Sequence, residues 1–363
     1  MSKVQGDGMI REGLGYLTDY VKNTTTDARL NYIVESRDWS IKQDGLELTK
    51  QMNKLRDVVM KSRITTTPKG LKNKIIHFGS VGTYQIPHES NRCVLSWYHI
   101  TQNDENLKNI KEMGKHIEIL HVTNQAIRKS FIEMGANDDK IITIPLGIDL
   151  NQFKPASEIE GYWELRNKLG IPADAKVIGS FQKDSNGWNE KKDITPKWVK
   201  NPEAFIETVK RIQRQHNKKI FVLLLGANRS YVKHQLQTHG IPFKHIYLKD
   251  FRDVAQYYKV LDLYICTSRS EGMPKAILES MASGIPLIIT KVGIAPETIK
   301  NGENGFIVDI DDIIGMTNYA LDILNSDSLA RRLKAGGIET AKKFSWDIMA
   351  NRFYNEIYKR LEE

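Results

Sequence analysis

Short apolar runs alternate with longer amphipathic segments along most of this 363-residue chain, and this alternation is the feature that most constrains its fold. The apolar runs are Tyr32–Val34, Lys74–Phe78, Arg92–Trp97, Ile117–Val122, Ile141–Pro145, Lys176–Phe181, Lys219–Leu225, His245–Leu248, Leu261–Thr267, Pro286–Thr290 and Phe306–Val308. Most are rich in Ile, Val and Leu without strict alternation, which is typical of strands buried on both faces. Helical segments are predicted near 41–62, 104–115, 125–134, 202–216, 229–239, 252–260, 274–283 and 312–325. This order predicts an α/β protein with parallel sheets and right-handed crossovers.

The alternation forms two series, as expected for this length at roughly 150 residues per domain. We predict two Rossmann-like, doubly wound domains over 1–150 and 173–344, joined by a linker over 151–172. The last residues, 345–363, carry apolar side chains at helical spacing and predict a docking helix. A membrane-anchoring helix is the less favoured alternative, because the polar face is not predominantly basic.

The chain is basic, since 53 Lys and Arg exceed 44 Asp and Glu by 53 − 44 = +9. Such an excess favours an anionic partner, namely a nucleotide, a phosphorylated substrate, a nucleic acid or a membrane surface. A merely basic, soluble surface explains it equally well. Cys93 and Cys266 lie in apolar runs and are predicted to be buried free thiols. No segment reaches the roughly 20 apolar residues of a membrane span, and we expect a cytoplasmic protein.

The strongest candidate site follows the predicted strand Leu261–Thr267, because ligands of open parallel sheets bind beyond the carboxyl ends of the strands. Pro274 suits the first position of a helix, whose free N–H groups at Met273, Lys275 and Ala276 would attract an anion.

Two acids flank this predicted helix start. Glu271 lies in the loop, and Glu279 is predicted about one and a half turns into the helix. Beside a phosphate site, carboxylates would bind the hydroxyls of a sugar or ribose. The alternative is one acid favoured by the helix dipole and one that is merely solvated.

No metal site is predicted. Asp309-Ile310-Asp311 has the spacing of a metal-binding D-x-D motif, but it precedes a predicted helix and is better explained as an N-cap. The sequence has no Walker loop, no H-E-x-x-H motif and no nucleophile elbow.

Four segments together resemble the retaining glycosyltransferases of family 4. Glu271 and Glu279 have the spacing of the family's E-x7-E signature, and the sequence continues through Gly284 in the family's manner. Lys300–Val308 is similar to its turn before a late strand, Ile144–Asp149 to its interdomain linker, and Phe344-Ser345-Trp346 to the start of its last helix. The resemblance is strong from about residue 140 onward and weak before it.

The resemblance implies a GT-B fold, with two Rossmann-like domains facing a cleft and a last helix that crosses back to the N-terminal domain. It implies retaining transfer of a sugar from a nucleotide sugar, UDP- or GDP-linked, without a further cofactor or metal. Glu271 would contact the donor sugar, Glu279 the ribose hydroxyls, and the backbone of Gly272, Met273, Pro274 and Lys275 the sugar or diphosphate oxygens. The acceptor would be a glycan, a lipid-linked sugar or a small-molecule hydroxyl.

The family also places basic residues after the first strand of its second domain. Lys183 and Lys200 correspond best to this pair, while Lys191, Lys192 and Lys197 lie in the same loop. His99 corresponds to a histidine that touches the donor sugar, although a surface or structural histidine is an alternative. His77 lies inside an apolar run and is predicted to be structural.

Two segments depart from the family pattern. Glu35-Ser36-Arg37-Asp38-Trp39 stands where a Gly-Gly loop is usual, and Gly293-Ile294-Ala295-Pro296-Glu297 stands where Gly-Gly-x-Pro-Glu is usual. Ser36, Asp38 and Trp39 are alternative candidates for an acceptor pocket.

Two other functions remain open at this stage. One is a sugar-nucleotide epimerase or phosphorylase of the same fold, and the other is a non-enzymatic nucleic-acid binder. We expect no nucleic acid, because the basic residues are spread over many helices without an aromatic-basic motif. Peripheral contact with the inner face of the membrane is compatible with the charge.

Overall fold

The structure, a computed structural model, describes residues 15–36, 40–55, 60–100, 107, 110–155, 161–185, 194–248 and 250–362. The chain divides into two compact units. One comprises Met1–Gly147 with Trp346–Glu363, and the other comprises Ile148–Ser345. Each contains one six-stranded sheet, so the predicted α/β class with two parallel sheets is confirmed.

The sheet of the first unit has the order β2-β1-β3-β4-β5-β6, with all neighbours parallel. Its strands are β1 (Leu30–Ile33), β2 (Ser62–Thr65), β3 (Ile75–Phe78), β4 (Arg92–Trp97), β5 (Ile119–Val122) and β6 (Ile141–Thr143). Its helices are α1 (15–25), α2 (Ser40–Met52), α3 (Ile110–Gly114), α4 (Gln125–Glu133) and, from the C-terminus, α13 (Trp346–Phe353). The strand order reverses between β1 and β3.

The second sheet has the order β12-β11-β10-β7-β8-β9, again all parallel. Its strands are β7 (Lys176–Ser180), β8 (Ile220–Leu225), β9 (Phe243–Ile246), β10 (Leu263–Cys266), β11 (Leu287–Thr290) and β12 (Phe306–Val308). Its helices are α5 (Tyr162–Leu169), α6 (Pro202–Gln215), α7 (Ser230–Thr238), α8 (Val254–Tyr258), α9 (Ala276–Ala282), α10 (Ala295–Thr298), α11 (Ile313–Asn325) and α12 (Asp327–Lys342). Here the order reverses between β7 and β10.

Several elements differ from the sequence prediction, among them helix α1 and strand β2, which were not predicted. The helix predicted over 41–62 ends at Met52, because Asn53 bonds both backbone groups of Ser62 and fixes the return into β2. Helix α12 was not predicted, since Gly336 and Gly337 lower its intrinsic propensity. Gly336 is required by packing, because a Cβ there would lie 2.2 Å from the Glu303 carbonyl oxygen. Helix α5 lies within the segment predicted as a linker.

The apolar strands are buried as their composition predicts. Every residue of β1, β3, β8, β10 and β11 is buried. Cys93 and Cys266 are buried free thiols, which confirms their predicted state. Among the described residues, no helix is long and apolar enough to cross a membrane.

The C-terminal segment packs into the core of the first unit. The Trp346 ring covers Gly147, where a Cβ would come within 2.4 Å of the ring. Farther along, the Tyr358 hydroxyl lies 2.7 Å from Nδ1 of the buried His77. The apolar spacing that predicted a docking helix therefore marks the side chains that this core buries.

Candidate functional site

A polar cluster lies at the point where the strand order of the second sheet reverses. Gln182 and Lys183 follow β7, while Ser268 and Glu271 follow β10, the strand beside it. Because parallel strands end at the same edge of a sheet, their following loops meet there. This is the place at which an open α/β sheet binds its ligand.

Glu271 is the centre of the cluster. Its Oε1 accepts hydrogen bonds from Lys200 Nζ at 2.5 Å, Ser268 Oγ at 2.7 Å and Gln182 Nε2 at 3.0 Å. The Glu271 side chain is 14% exposed and that of Lys200 is 23% exposed. Within the described part of the chain, these three hydrogen bonds all go to Oε1. These contacts therefore fix the position of Oε1.

Backbone and hydroxyl contacts hold the turn that carries Lys200. Thr267 Oγ1 donates to the carbonyls of Lys200 at 3.1 Å and of Asn201 at 2.9 Å. The Arg269 amide donates to the Val199 carbonyl at 2.9 Å. Lys200 and Glu271 are therefore positioned together, because both depend on the loop after β10.

Asp311 braces the same turn from outside. Its Oδ1 accepts from Arg269 Nη2 at 2.9 Å and from Asn201 Nδ2 at 2.8 Å. The predicted N-cap at residues 309–311 is wrong by one residue, because Asp312 caps α11 through the Gly315 amide. In the ranges that the structure describes, no three His, Cys, Asp or Glu side chains could jointly hold a metal ion.

Three lysines share the charge environment of Glu271. Burial lowers the pKa of Lys197, and the like charges of Lys200 and Lys183 lower it further, while Glu271 acts in the opposite direction. The family resemblance predicts roles for Lys183 and Lys200 but none for Lys197, since a loop lysine carries no pattern of its own. Lys191 and Lys192 lie outside the described residues.

Glu279 lies deeper than Glu271. It is 7% exposed, and its Oε2 accepts a 2.8 Å hydrogen bond from the Tyr258 hydroxyl on α8. Burial raises the pKa of Tyr258 well above its usual range, and the Glu279 charge raises it further. Helix α9 begins at Ala276, so the prediction that Pro274 opens it is wrong by two residues, and Glu279 falls in the first turn. Tyr258 was missed because it reads as an apolar position of a helix distant in sequence.

The loop from Gly272 to Lys275 connects β10 to α9 and leaves no room for a side chain at Gly293. A Cβ there would lie 2.6 Å from the Gly272 carbonyl oxygen and 2.8 Å from Pro274 Cδ. Gly293 also has φ of +54°, in the left-handed region. Segment 293–297 differs from the family pattern Gly-Gly-x-Pro-Glu but retains Gly293. This is the glycine that the loop carrying Glu271 requires.

His99 belongs to the other unit. It follows β4, its side chain is exposed, and its carbonyl accepts from Trp97 Nε1 at 3.0 Å. Ser36 lines a cavity beside Glu35, whereas Asp38 and Trp39 lie outside the described residues.

Part of the chain is similar in sequence to known proteins. Residues 193–340 match the family model described as "Glycosyl transferases group 1". The chain is 27% identical over 239 residues to spore coat protein SA of Bacillus subtilis, covering 61% of this chain and 59% of that protein. It is 30% identical over 202 residues to a UDP-Gal:alpha-D-GlcNAc-diphosphoundecaprenol alpha-1,3-galactosyltransferase of Escherichia coli, covering 54% and 48%. The matches thus span less than two thirds of these relatives.

The fold has a solved counterpart in HepE of Anabaena, determined in complex with UDP and glucose. The TM-score is 0.72 at 16% identity, and the match covers 93% of this chain and all of that one. The matched family segment contains Lys197, Lys200, Glu271 and Glu279, the residues assembled at the second sheet. By sequence, residues 193–340 match the group 1 glycosyltransferases, and by structure the chain shares the GT-B fold of HepE.

Proposed function

We propose that this protein is a retaining glycosyltransferase that moves a sugar from a UDP-sugar to a hydroxyl acceptor. The observation that carries the proposal is the Lys200–Glu271 ion pair at the reversal point of the second sheet, beside Lys197, whose pKa responds to the charges of Lys200, Lys183 and Glu271. Positive side chains suit a diphosphate, and a partly engaged carboxylate suits sugar hydroxyls.

In the proposed reaction, the nucleoside diphosphate departs and leaves an oxocarbenium-like sugar. The three lysines stabilise the charge that develops on the diphosphate, which is electrostatic catalysis by groups already in place. Lys200 is held by its Glu271 contact and by its backbone, so little reorganisation is needed. Glu271 orients the sugar, and Glu279, anchored by Tyr258, holds the ribose. Following the family resemblance, the acceptor attacks from the front face and the leaving phosphate takes its proton.

UDP is favoured over GDP by two of the similar proteins. The name of the Escherichia coli relative specifies a UDP-linked donor and a lipid-linked acceptor, and HepE was solved with UDP. For this chain the acceptor class stays a glycan, a lipid-linked sugar or a small-molecule hydroxyl. Contact with the inner face of the membrane would follow if the acceptor is lipid-linked.

The test is a binding and hydrolysis screen of UDP- and GDP-sugars with Lys200→Met beside the wild type. We expect UDP to bind and Lys200→Met to weaken it about tenfold or more, as for loss of a charge-assisted hydrogen bond. Lys176→Met is the matched control, because Lys176 also pairs with a carboxylate at 3.3 Å and is 20% exposed, but at the start of β7. Equal losses in both variants, or no nucleotide binding by the wild type, would contradict the proposal.

The rival functions are separated in the same assay. An epimerase converts the nucleotide sugar without an acceptor, and a phosphorylase requires inorganic phosphate. A nucleic-acid binder would bind RNA with a steep salt dependence and show no selectivity for nucleotide sugars.

A further inference from the structure

A second cavity lies where the strand order of the first sheet reverses, between β1 and β3. It has a volume of about 350 Å³. Six of its eight lining residues lie in the loops after three strands, namely Glu35, Ser36, Thr66, Gly82, Thr83 and Gln85, and the other two are Val34 and Tyr16 of α1. The carboxyl end of an open parallel sheet at its reversal point is the usual ligand-binding position. This cavity therefore stands in the first unit where the Glu271 cluster stands in the second.

Two polar groups lie close to Gly82, which lines this cavity. Ser80 is only 8% exposed, and its Oγ has no hydrogen-bond partner within the described residues. A Cβ placed on Gly82 would lie 3.5 Å from Glu35 Oε1 and 3.6 Å from Ser80 Oγ. An unpaired buried hydroxyl is unfavourable unless a ligand bonds it. Because Gly82 has no side chain, the space beside it stays free between the Glu35 carboxylate and the unpaired Ser80 hydroxyl.

The charge of the cavity restricts what it can bind. Among its described lining residues, Glu35 is the one charged side chain. Nearby Arg63 is engaged elsewhere, by Asn23 Oδ1 at 3.2 Å and by Asp19 at 3.9 Å. An ionised carboxylate only accepts hydrogen bonds and repels phosphate. The lining therefore suits a neutral molecule with several hydroxyls.

We infer that Glu35 determines acceptor specificity, by binding the hydroxyls of an uncharged saccharide in the space at Gly82 and rejecting phosphorylated acceptors. This inference rests on the proposed glycosyl transfer and adds the class of acceptor to it. Ser80 completes the contact by bonding a further hydroxyl, which satisfies its buried Oγ. A ligand group that reaches Gly82 meets both side chains at once.

The experiment uses the full chain, the UDP-sugar found in the donor screen, and methyl glycosides of glucose, galactose and N-acetylglucosamine paired with their 6-phosphates. We expect the wild type to favour the neutral member of a pair. Glu35→Gln should lower kcat/KM for it about tenfold, mainly through KM, because a hydrogen bond to a charge is lost. Glu35→Lys should reverse the preference toward the phosphate ester.

Gly82→Ala tests the space itself. Its new methyl group makes only ordinary contacts and Gly82 has no positive φ, so the fold should persist while acceptor KM rises. Gly114→Ala is the control, since a Cβ there has nothing within 4 Å. Preference for phosphate esters, transfer to no neutral saccharide, or unchanged acceptor KM in Glu35→Gln would each overturn the inference. UDP affinity, measured on every variant, shows separately whether the donor proposal stands.

Discussion

At the scale of single residues, the two glutamates of the 271–279 segment have different partners and should have separable roles. Glu279→Gln removes charge from a buried carboxylate proposed to bind ribose, so UDP affinity should fall about tenfold or more. Glu271→Gln frees Lys200 from its carboxylate partner, so UDP affinity should hold while turnover of the UDP-sugar falls sharply. Calorimetric titration with UDP and steady-state rates measure the two effects.

Glu207→Gln is the control for this pair of variants, because Glu207 bonds Lys210 and Arg211 on the surface of α6. Its UDP affinity and turnover should match the wild type. Equal loss of UDP affinity in the Glu271 and Glu279 variants would contradict the division of labour. Full activity in both would remove this segment from the site.

Position along the chain predicted part of this site and could not predict the rest. Lys183, Lys200 and Glu271 follow apolar runs or stand in a recognisable motif, so strand order alone brings them to one edge. Lys197 and Tyr258 become visible only in three dimensions, since charge crowding and one buried hydrogen bond identify them. Asp311 was predicted as a helix N-cap but binds Arg269 instead, because the sequence does not show which of several acids before a helix caps it.

At the scale of elements, Gly293 couples β11 to the loop that carries Glu271. In Gly293→Ala, an alanine has to adopt the left-handed φ of residue 293, which costs about 1–2 kcal/mol. Its Cβ also collides with the Gly272 carbonyl, which adds about 1–3 kcal/mol. We expect a lower free energy of unfolding. We also expect turnover to fall in the folded protein, because the loop that carries Glu271 is displaced. Denaturant titration and rates measure both.

Gly226→Ala separates the strain from the collision. Gly226 has φ of +85° and nothing within 4 Å of its Cβ position, so it should lose stability through strain alone. If both variants lose the same stability and keep the same turnover, Gly293 does not support the Glu271 loop.

Elements with a strong apolar pattern were predicted closely. Arg92–Trp97 and Phe306–Val308 agree at both ends, because burial on both faces selects unbroken runs of apolar residues. Strand β2 and helix α12 were missed because tertiary contacts determine them. The side-chain amide of Asn53 fixes the turn into β2, and close packing on the turn before β12 requires Gly336 of α12.

At the scale of whole units, a buried chain of hydrogen bonds ties the C-terminal segment to the first sheet. His121 Nε2–H donates to the Ile144 carbonyl at 2.7 Å, so its Nδ1 must accept from Ser96 Oγ at 2.8 Å. Ser96 then accepts from His77 Nε2–H at 2.7 Å, and His77 Nδ1 accepts from the Tyr358 hydroxyl. This order requires both histidines to be neutral.

The network predicts that acid destabilises the protein. Burial lowers the pKa of His121 from 6.5 to about 4 and lowers that of His77 well below its usual value. The unfolded chain therefore binds protons that the folded one does not, so stability is lost as pH falls from about 6.5 toward 4. His121 alone should account for about 2 kcal/mol between pH 7 and pH 5. Urea titrations measure this, and His121→Asn should reduce the difference, whereas no pH dependence would contradict the neutral network.

The whole charge distribution leads to a prediction about metal dependence. The proposed donor site includes Lys183, Lys197 and Lys200, in a chain of net charge +9, so positive charge is already supplied where a divalent cation would act. We expect turnover of the UDP-sugar in excess EDTA to stay within about twofold of the untreated rate.

A variant with Lys197→Met and Lys200→Met should turn over slowly, and Mg²⁺ should partly restore its turnover, because the added cation replaces lost charge. The Lys176→Met control should show neither effect. Loss of wild-type turnover in EDTA, restored by Mg²⁺ or Mn²⁺, would show that the lysines do not suffice.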